Sequence, residues 1–291
     1  MLPWWYVIIV LQFWPMDAPS YLWNYDEPEL WQETFPLCDS PLQSPIALTR
    51  DRIAYSRPPK LVPGDGLAEG EVTAINTGRR IELRLAPGNA SQPAIQLVSY
   101  KKPLFGVYTL ETIDLHWGDA GGTHGSEHAI NKEFFDGEAQ FVFYNNFYES
   151  MAKARRHPGG IAIVSVLLSG SSAAAGEAAF PSLGLEQQLD ALAARGSEVT
   201  FAADLTPVHG LLSKALTRVL AYYGSLTSPP CNPVATWLVS AEPVDVSTHL
   251  LYDLATKVYE DRQKQKRLVN NWRPLQDRSG RLVTQLENTK P

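Results

Sequence analysis

"TIDLHWGDAGGTHGSEHAINKEFFDGEAQFVFYN", Thr112 to Asn145, is the stretch on which the reading of this chain turns. Its first half packs His116, His124 and His128 together with Asp114, Asp119 and Glu127. Such a density of imidazole and carboxylate suits a metal centre or a proton relay. Its second half, "AQFVFYN", alternates as a half-buried strand does. The position where a first metal ligand would be sought is Asp114.

Working outward, more segments show the same alternation. "RIELRL" puts Ile81, Leu83 and Leu85 on one face, and "GIAIVSVLL", "EVTFAADL" and "ATWLVS" are further strands. Turn signals separate them at Pro63-Gly64-Asp65-Gly66, Pro87-Gly88-Asn89 and Pro158-Gly159-Gly160. Two stretches read as helices instead. "LGLEQQLDALAARG" has leucines at helical spacing and stops at Gly196, and a second helix runs from about Val246 to Arg262. With no internal repeat and no low-complexity linker, the pattern predicts a mainly β (α+β) fold with peripheral helices, in one domain.

The chain has 291 residues, 44% hydrophobic and 19% charged, enough for one large domain. A net charge of -6 argues against a nucleic-acid partner, because phosphate binding needs a cationic face. The opening "MLPWWYVIIVLQFWPMDAPS" is apolar from Leu2 to Trp14. That run is too short to span a bilayer and fits the core of a signal peptide over residues 1–18, cleaved near Ala18, although no Lys or Arg precedes it. No later stretch reads as a membrane span. Residues 21–284 then form the domain and 285–291 a polar tail. In a secreted chain the two cysteines, Cys38 and Cys231, are expected to pair, with two buried free thiols as the alternative. Asn89-Ala90-Ser91 beside Pro87-Gly88 is a glycosylation acceptor in a turn.

Taken in order, the segments resemble the alpha-class carbonic anhydrases from Tyr21 to about Val283. The resemblance is carried by "YLWNYDEPELWQETFP", by "QSPIAL" (Gln43 to Leu48), and by "HWG" with "GSEHAINKEFFDGEAQFVFYN". It continues through "YYGSLTSPPCNPVATWLV" to "NNWRPLQ" (Asn270 to Gln276). It implies a single domain with a large twisted, mostly antiparallel central sheet and a conical cavity over its middle. The positions of Cys38 and Cys231 are similar to the disulfide pair of that family's secreted branch.

The family's chemistry uses zinc held by three neutral imidazoles with one open position, which lowers the pKa of bound water from ~15.7 to ~7. Two ligands come from an H-x-H pair, which a strand turns to one face, and the third from the neighbouring strand. The resemblance places Asp114, His116 and Gln140 at these three positions. Aspartate can bind zinc, but it makes the bound water a weaker acid, and an amide oxygen suits hard cations better. The proton-shuttle histidine position carries Arg79, whose guanidinium does not release a proton near neutral pH. Glu127 and Thr227 map to the pair that orients the zinc-bound hydroxide, the carboxylate accepting the hydroxyl's hydrogen. In the absence of metal they would satisfy one another and the backbone. His128, Glu138 and Tyr222 map to the network behind the ligands, where Gln140 could donate to Glu138. Asp114 could pair with a protonated His116. Val142, Ile163, Leu226, Ala235 and Trp237 map to the substrate pocket or its support.

His124, His157 and His209 read as surface or turn residues. "GSLTS" lacks the spacing of a nucleophile elbow. Two basic clusters, Lys153 with Arg155 and Arg156, and Arg262 with Lys264, Lys266 and Arg267, read as solvated surface or as contacts for a sulfated glycan or acidic partner. The expectation is therefore a secreted carbonic anhydrase-related protein without efficient carbon dioxide hydration. It would need no cofactor and act through an unidentified extracellular protein or glycan. The alternative is an active extracellular zinc lyase, converting carbon dioxide to bicarbonate with an Asp/His/Gln ligand set. A hydrolase reusing the cavity is a third reading, for which no nucleophile–base pair can be named.

Overall fold

The computed structural model describes residues 22–49, 52–53, 57–88, 93–122, 124–172 and 179–287. The expected leader (1–18), the Asn89 acceptor and residues 288–291 lie outside these. The strands are β1 (Ala47–Leu48), β2 (Arg52–Ile53), β3 (Lys60–Pro63), β4 (Gly70–Asn76), β5 (Ile81–Ala86), β6 (Ile95–Lys101), β7 (Leu104–Trp117) and β8 (Ala129–Ile130). After them come β9 (Gly137–Asn145), β10 (Ile161–Ser171), β11 (Glu198–Ala203), β12 (Arg218–Gly224), β13 (Ala235–Ser240), β14 (Val244–Ser247) and β15 (Thr284–Glu287). Among the described residues four α-helices lie around them: α1 (Trp31–Thr34), α2 (Met151–Ala154), α3 (Thr206–Ala215) and α4 (Thr248–Lys257).

One large sheet runs in the order β11-β4-β5-β7-β9-β10-β13-β12-β15-β2. Its pairings are antiparallel except β10 with β13, β10 with β14, and β15 with β2. The expected mostly antiparallel sheet with peripheral helices is what the chain forms. Every strand anticipated from alternation is present. The end of the domain lies beyond the expected boundary at 284, because Thr284–Glu287 pairs with β12 and is not tail.

The helices depart from expectation. Between Leu183 and Gly196 only Leu185–Gln188 winds regularly, as a 3-10 turn. Leu185, Leu189 and Leu192 are buried as their spacing implied. Asn76 donates to the carbonyls of Leu192 and Ala193, and the Tyr259 N–H takes the Ala193 carbonyl as well. The second helix is shorter than 246–262. Val246 belongs to β14, where it pairs with β10, and the helix stops at Lys257. α3 was not anticipated. Its Pro207 opens it, where a missing N–H costs nothing, and Val208, Leu211, Leu212 and Ala215 make its buried face.

β7 and β9 cross the middle of the sheet side by side and separate two packed regions. Ile113, Leu115 and Trp117 of β7, with Ala139, Phe141 and Phe143 of β9, belong to the larger apolar core. Thr112, Asp114 and His116 point the other way, as do Gln140 and Val142, into a cavity. A register shift between Leu110 and Thr112 leaves Glu111 unpaired and sets this phase.

Cys38 and Cys231 are joined, with Cα atoms 5.0 Å apart across a sequence separation of 193. The bridge closes a cluster of Trp23, Trp31 and Phe35. By the chain-entropy argument, closing so long a loop stabilises the fold by roughly 3–5 kcal/mol. Among the described residues, no helix is long and apolar enough to cross a membrane.

Candidate functional site

The cavity holds about 640 Å³. Asp114 lies directly across the ladder from Gln140, and His116 from Glu138. The strand period therefore brings Asp114 and His116 to one floor with Gln140, which the neighbouring strand supplies. Val142, Ile163, Leu226 and Thr227 form part of the wall. Ala235 and Trp237 do not reach it: both are fully buried behind, where Trp237 Nε1 donates to the Ser225 carbonyl at 3.0 Å.

Each floor residue is held by a partner that fixes what it can offer. His116 Nδ1 lies 2.6 Å from the Asn271 carbonyl, so it carries the proton, and Nε2 is left as an acceptor. Gln140 Nε2 donates to Glu127 Oε2 at 2.7 Å and to Glu138 Oε1 at 3.1 Å. Two carboxylates need donors there, which fixes the orientation of the amide and leaves its oxygen as the free end. Asp114 Oδ2 is ion-paired with Arg80 Nε at 2.8 Å. The anticipated pairing of Asp114 with His116 is thus replaced by a pairing with the arginine across the sheet. A guanidinium is the lower-energy partner, because it is charged at any ordinary pH. Asp114 Oδ1 is buried and makes no hydrogen bond.

Behind the floor, Glu138 accepts from five donors. These are the Glu127 and His128 backbone N–H groups, His128 Nδ1, Gln140 Nε2 and Ser165 Oγ. Burial alone would raise its pKa. The His128 ring and N–H, with His116 beyond, outweigh that and hold the carboxyl well below its ordinary range. His128 Nε2 meets Tyr222 Oη at 2.7 Å, and that hydroxyl donates on to Ser44 Oγ at 3.0 Å. Burial pushes the Tyr222 phenol well above its usual value.

The Glu127 carboxylate accepts from Gln140 Nε2 and from the Arg273 backbone N–H at 2.9 Å. Among the described residues no hydrogen bond joins Glu127 to Thr227, so the expected mutual satisfaction of that pair is absent. The amide of Gln140 has taken the carboxylate instead, and Thr227 faces the cavity.

Arg79 lies at the rim, where it is nearly buried. It donates to the Gly78 carbonyl at 2.7 Å and to the Trp23 carbonyl, and stacks over the Trp23 ring. Burial lowers its pKa, opposed by Glu260. Arg80, Glu82, Arg84 and Glu111 complete a charged wall, with Glu82 bridging the two arginines.

Sequence reasoning missed Arg80, Asn271 and Arg273. Asn271 holds His116 through its carbonyl, Trp117 N–H through Oδ1, and the Arg79 and Leu115 carbonyls through Nδ2. Arg273 bonds Gln43, Ser44 and Cys38, and burial lowers its pKa to about 10. The signal for both was "NNWRPLQ", one of the segments that carries the family resemblance. Of the remaining candidates, His124 is not a bare turn residue. Its ring lies between Phe134 and Trp272, with centroids at 3.9 and 4.0 Å. His157 is exposed and stacks on Tyr148, and His209 lies in α3. In the second basic cluster, Lys266 pairs with Asp26 and Glu260, and Arg267 lies over the Tyr259 ring. Arg155, of the first cluster, lines the cavity.

Comparison with known proteins agrees with this architecture. A family model described as eukaryotic-type carbonic anhydrase matches residues 26–287. The chain is 30% identical to carbonic anhydrase 3 of Sus scrofa over 276 residues, covering 90% of this chain and 96% of the relative. It is 30% identical to carbonic anhydrase 12 of Homo sapiens, covering 92% of this chain and 74% of the relative. Against carbonic anhydrase 3 of Bos taurus the identity is 31%, covering 90% and 96%. A family match over nearly the whole length means that this chain belongs to the carbonic anhydrase family.

Proposed function

We propose that this protein is a secreted member of its family that acts by binding rather than by zinc-dependent hydration of carbon dioxide. The observation that carries the reading is the double hydrogen bond of Gln140. Its amide N–H groups go to Glu127, the carboxylate that would orient a metal-bound hydroxide, and to Glu138, which would hold a metal ligand from behind, so a side chain consumes both acceptors. The donor set does not fit a zinc hydroxide centre. One imidazole, one amide oxygen and one carboxylate already paired with Arg80 stand where three neutral imidazoles would be needed. Among the described residues no three His, Cys, Asp or Glu side chains are grouped to hold a metal ion.

Secretion is supported by the apolar N-terminal run and by the Cys38–Cys231 bridge, which persists in oxidising compartments. The binding reading takes an extracellular protein or glycan as partner. It is tested by metal content and carbon dioxide hydration on one zinc-equilibrated sample. Bound zinc far below one per chain, with no hydration above buffer, is the expected result. Zinc near one per chain, with a rate abolished by Asp114→Ala, would establish the alternative, a zinc lyase with an Asp/His/Gln set.

A further inference from the structure

The three most exposed large hydrophobic side chains among the described residues are Phe147 (83%), Phe105 (70%) and Tyr100 (65%). They are gathered on one part of the surface by the sheet itself. Tyr100 and Phe105 face each other across the β6–β7 hairpin, rings edge to face at 5.9 Å. Asn145 ties this hairpin to the next segment: its Nδ2 donates to the Phe105 carbonyl at 3.3 Å, and its Oδ1 accepts the Phe147 N–H at 3.0 Å. The Phe147 ring then meets Tyr148 at 5.2 Å, and Tyr148 stacks on the exposed His157 at 4.5 Å. Tyr108 Oη pins the adjoining loop by donating to the Gly159 carbonyl at 2.8 Å. The rings are thus presented by a fixed scaffold.

Basic side chains flank them. Lys101 and Lys102 occupy the hairpin tip, and neither is ion-paired among the described residues. Lys153, paired with Glu149, and Arg156 are exposed on the turn after Tyr148. Exposed aromatic rings flanked by lysine and arginine are the composition of surfaces that settle into the headgroup region of a bilayer. A second copy of the chain is disfavoured as occupant, since a two-fold contact would set these cations against themselves. Rings this exposed stand out from the surface, which suits a deformable interface better than a rigid partner.

We propose that this aromatic and basic surface docks the protein onto membranes displaying anionic phospholipid, with Tyr100, Phe105 and Phe147 entering the headgroup region and Lys101, Lys102 and Arg156 meeting the phosphates. The net charge of -6 repels the rest of the molecule from such a surface and so orients it on this face. The docking goes beyond the binding role inferred above and does not depend on the state of the cavity.

The test is co-sedimentation of the full chain with phosphatidylcholine vesicles, and with vesicles containing about one-third phosphatidylserine. Binding to the anionic vesicles alone, weakened severalfold by added salt, is expected. Lys101→Glu with Lys102→Glu should weaken it more than about 25-fold, at about fivefold per lysine lost. Phe105→Ser with Phe147→Ser should weaken it at least about tenfold. All four positions are exposed, and unchanged melting temperatures would show that the variants are folded. Failure to bind anionic vesicles overturns the proposal. So does equal binding by the phenylalanine variant, or retention on immobilised heparin without vesicle binding, which would assign the surface to a sulfated glycan.

Discussion

The two faces of β7 and β9 are made by the same strands and obey opposite rules. One face presents Ile113, Leu115, Trp117, Phe141 and Phe143 to a dry core. The other presents Asp114, His116, Glu138 and Gln140, each tied to a named partner. On the first face stability comes from removing apolar area from water, and similar shapes can replace one another. On the second it comes from matching each buried donor to an acceptor, where one altered residue rewires its neighbours. The cavity face could therefore change its chemistry while the apolar face kept the fold.

The largest effect is expected on the dry side. Phe141→Ala should cost about 3–5 kcal/mol in urea unfolding, the usual cost of emptying a fully buried aromatic site. A loss under about 1 kcal/mol would mean that the core collapses around the gap and that the faces are less distinct than described.

On the wet side the heaviest residue is Glu138. Glu138→Gln keeps the shape but replaces a carboxylate facing five donors, and should cost about 3 kcal/mol. Acid titration gives an independent reading. The carboxyl is depressed in the folded state, so its contribution is present above the unfolded value of ~4.3 and is lost as pH falls through the folded one. The native protein should lose melting temperature between about pH 4 and pH 2, and the Gln variant should show a flatter slope there. Identical slopes would sink the assignment.

Gln140→Leu should cost less, about 1–3 kcal/mol, because it leaves Glu127 Oε2 and Glu138 Oε1 each short of one donor. Measured together with Glu138→Gln in a double-mutant cycle, the two should be non-additive, since they share a hydrogen bond. Additivity would mean that the amide does not bridge the carboxylates.

The same division explains what the sequence revealed. Strand alternation and the Thr112–Asn145 stretch were enough for the sheet, because period-two burial is written locally. The leucines at 185, 189 and 192 are buried at helical spacing, yet their segment is not a helix. Its end is held by Asn76, more than a hundred residues away, which takes the Leu192 and Ala193 carbonyls. The floor residues could be named from the resemblance, but their partners could not. Arg80 as the partner of Asp114 depends on the β5–β7 pairing. The floor partner of Glu127 depends on which way the Gln140 amide points.

Asp114 should be the least costly of the floor residues to change. Only Oδ2 is engaged, in an ion pair whose partner Arg80 also reaches Glu82 at 3.5 Å. Oδ1 makes no hydrogen bond, and Asp114→Asn keeps an oxygen for Arg80 while removing one buried charge. The gain from removing that charge offsets most of the lost attraction, so the net change should be about 1 kcal/mol or less in chemical denaturation. A loss above about 3 kcal/mol would mean that Asp114 is a structural anchor like Glu138. The cavity floor would then be as rigidly specified as the network behind it, and its residues would be no freer to change than Glu138.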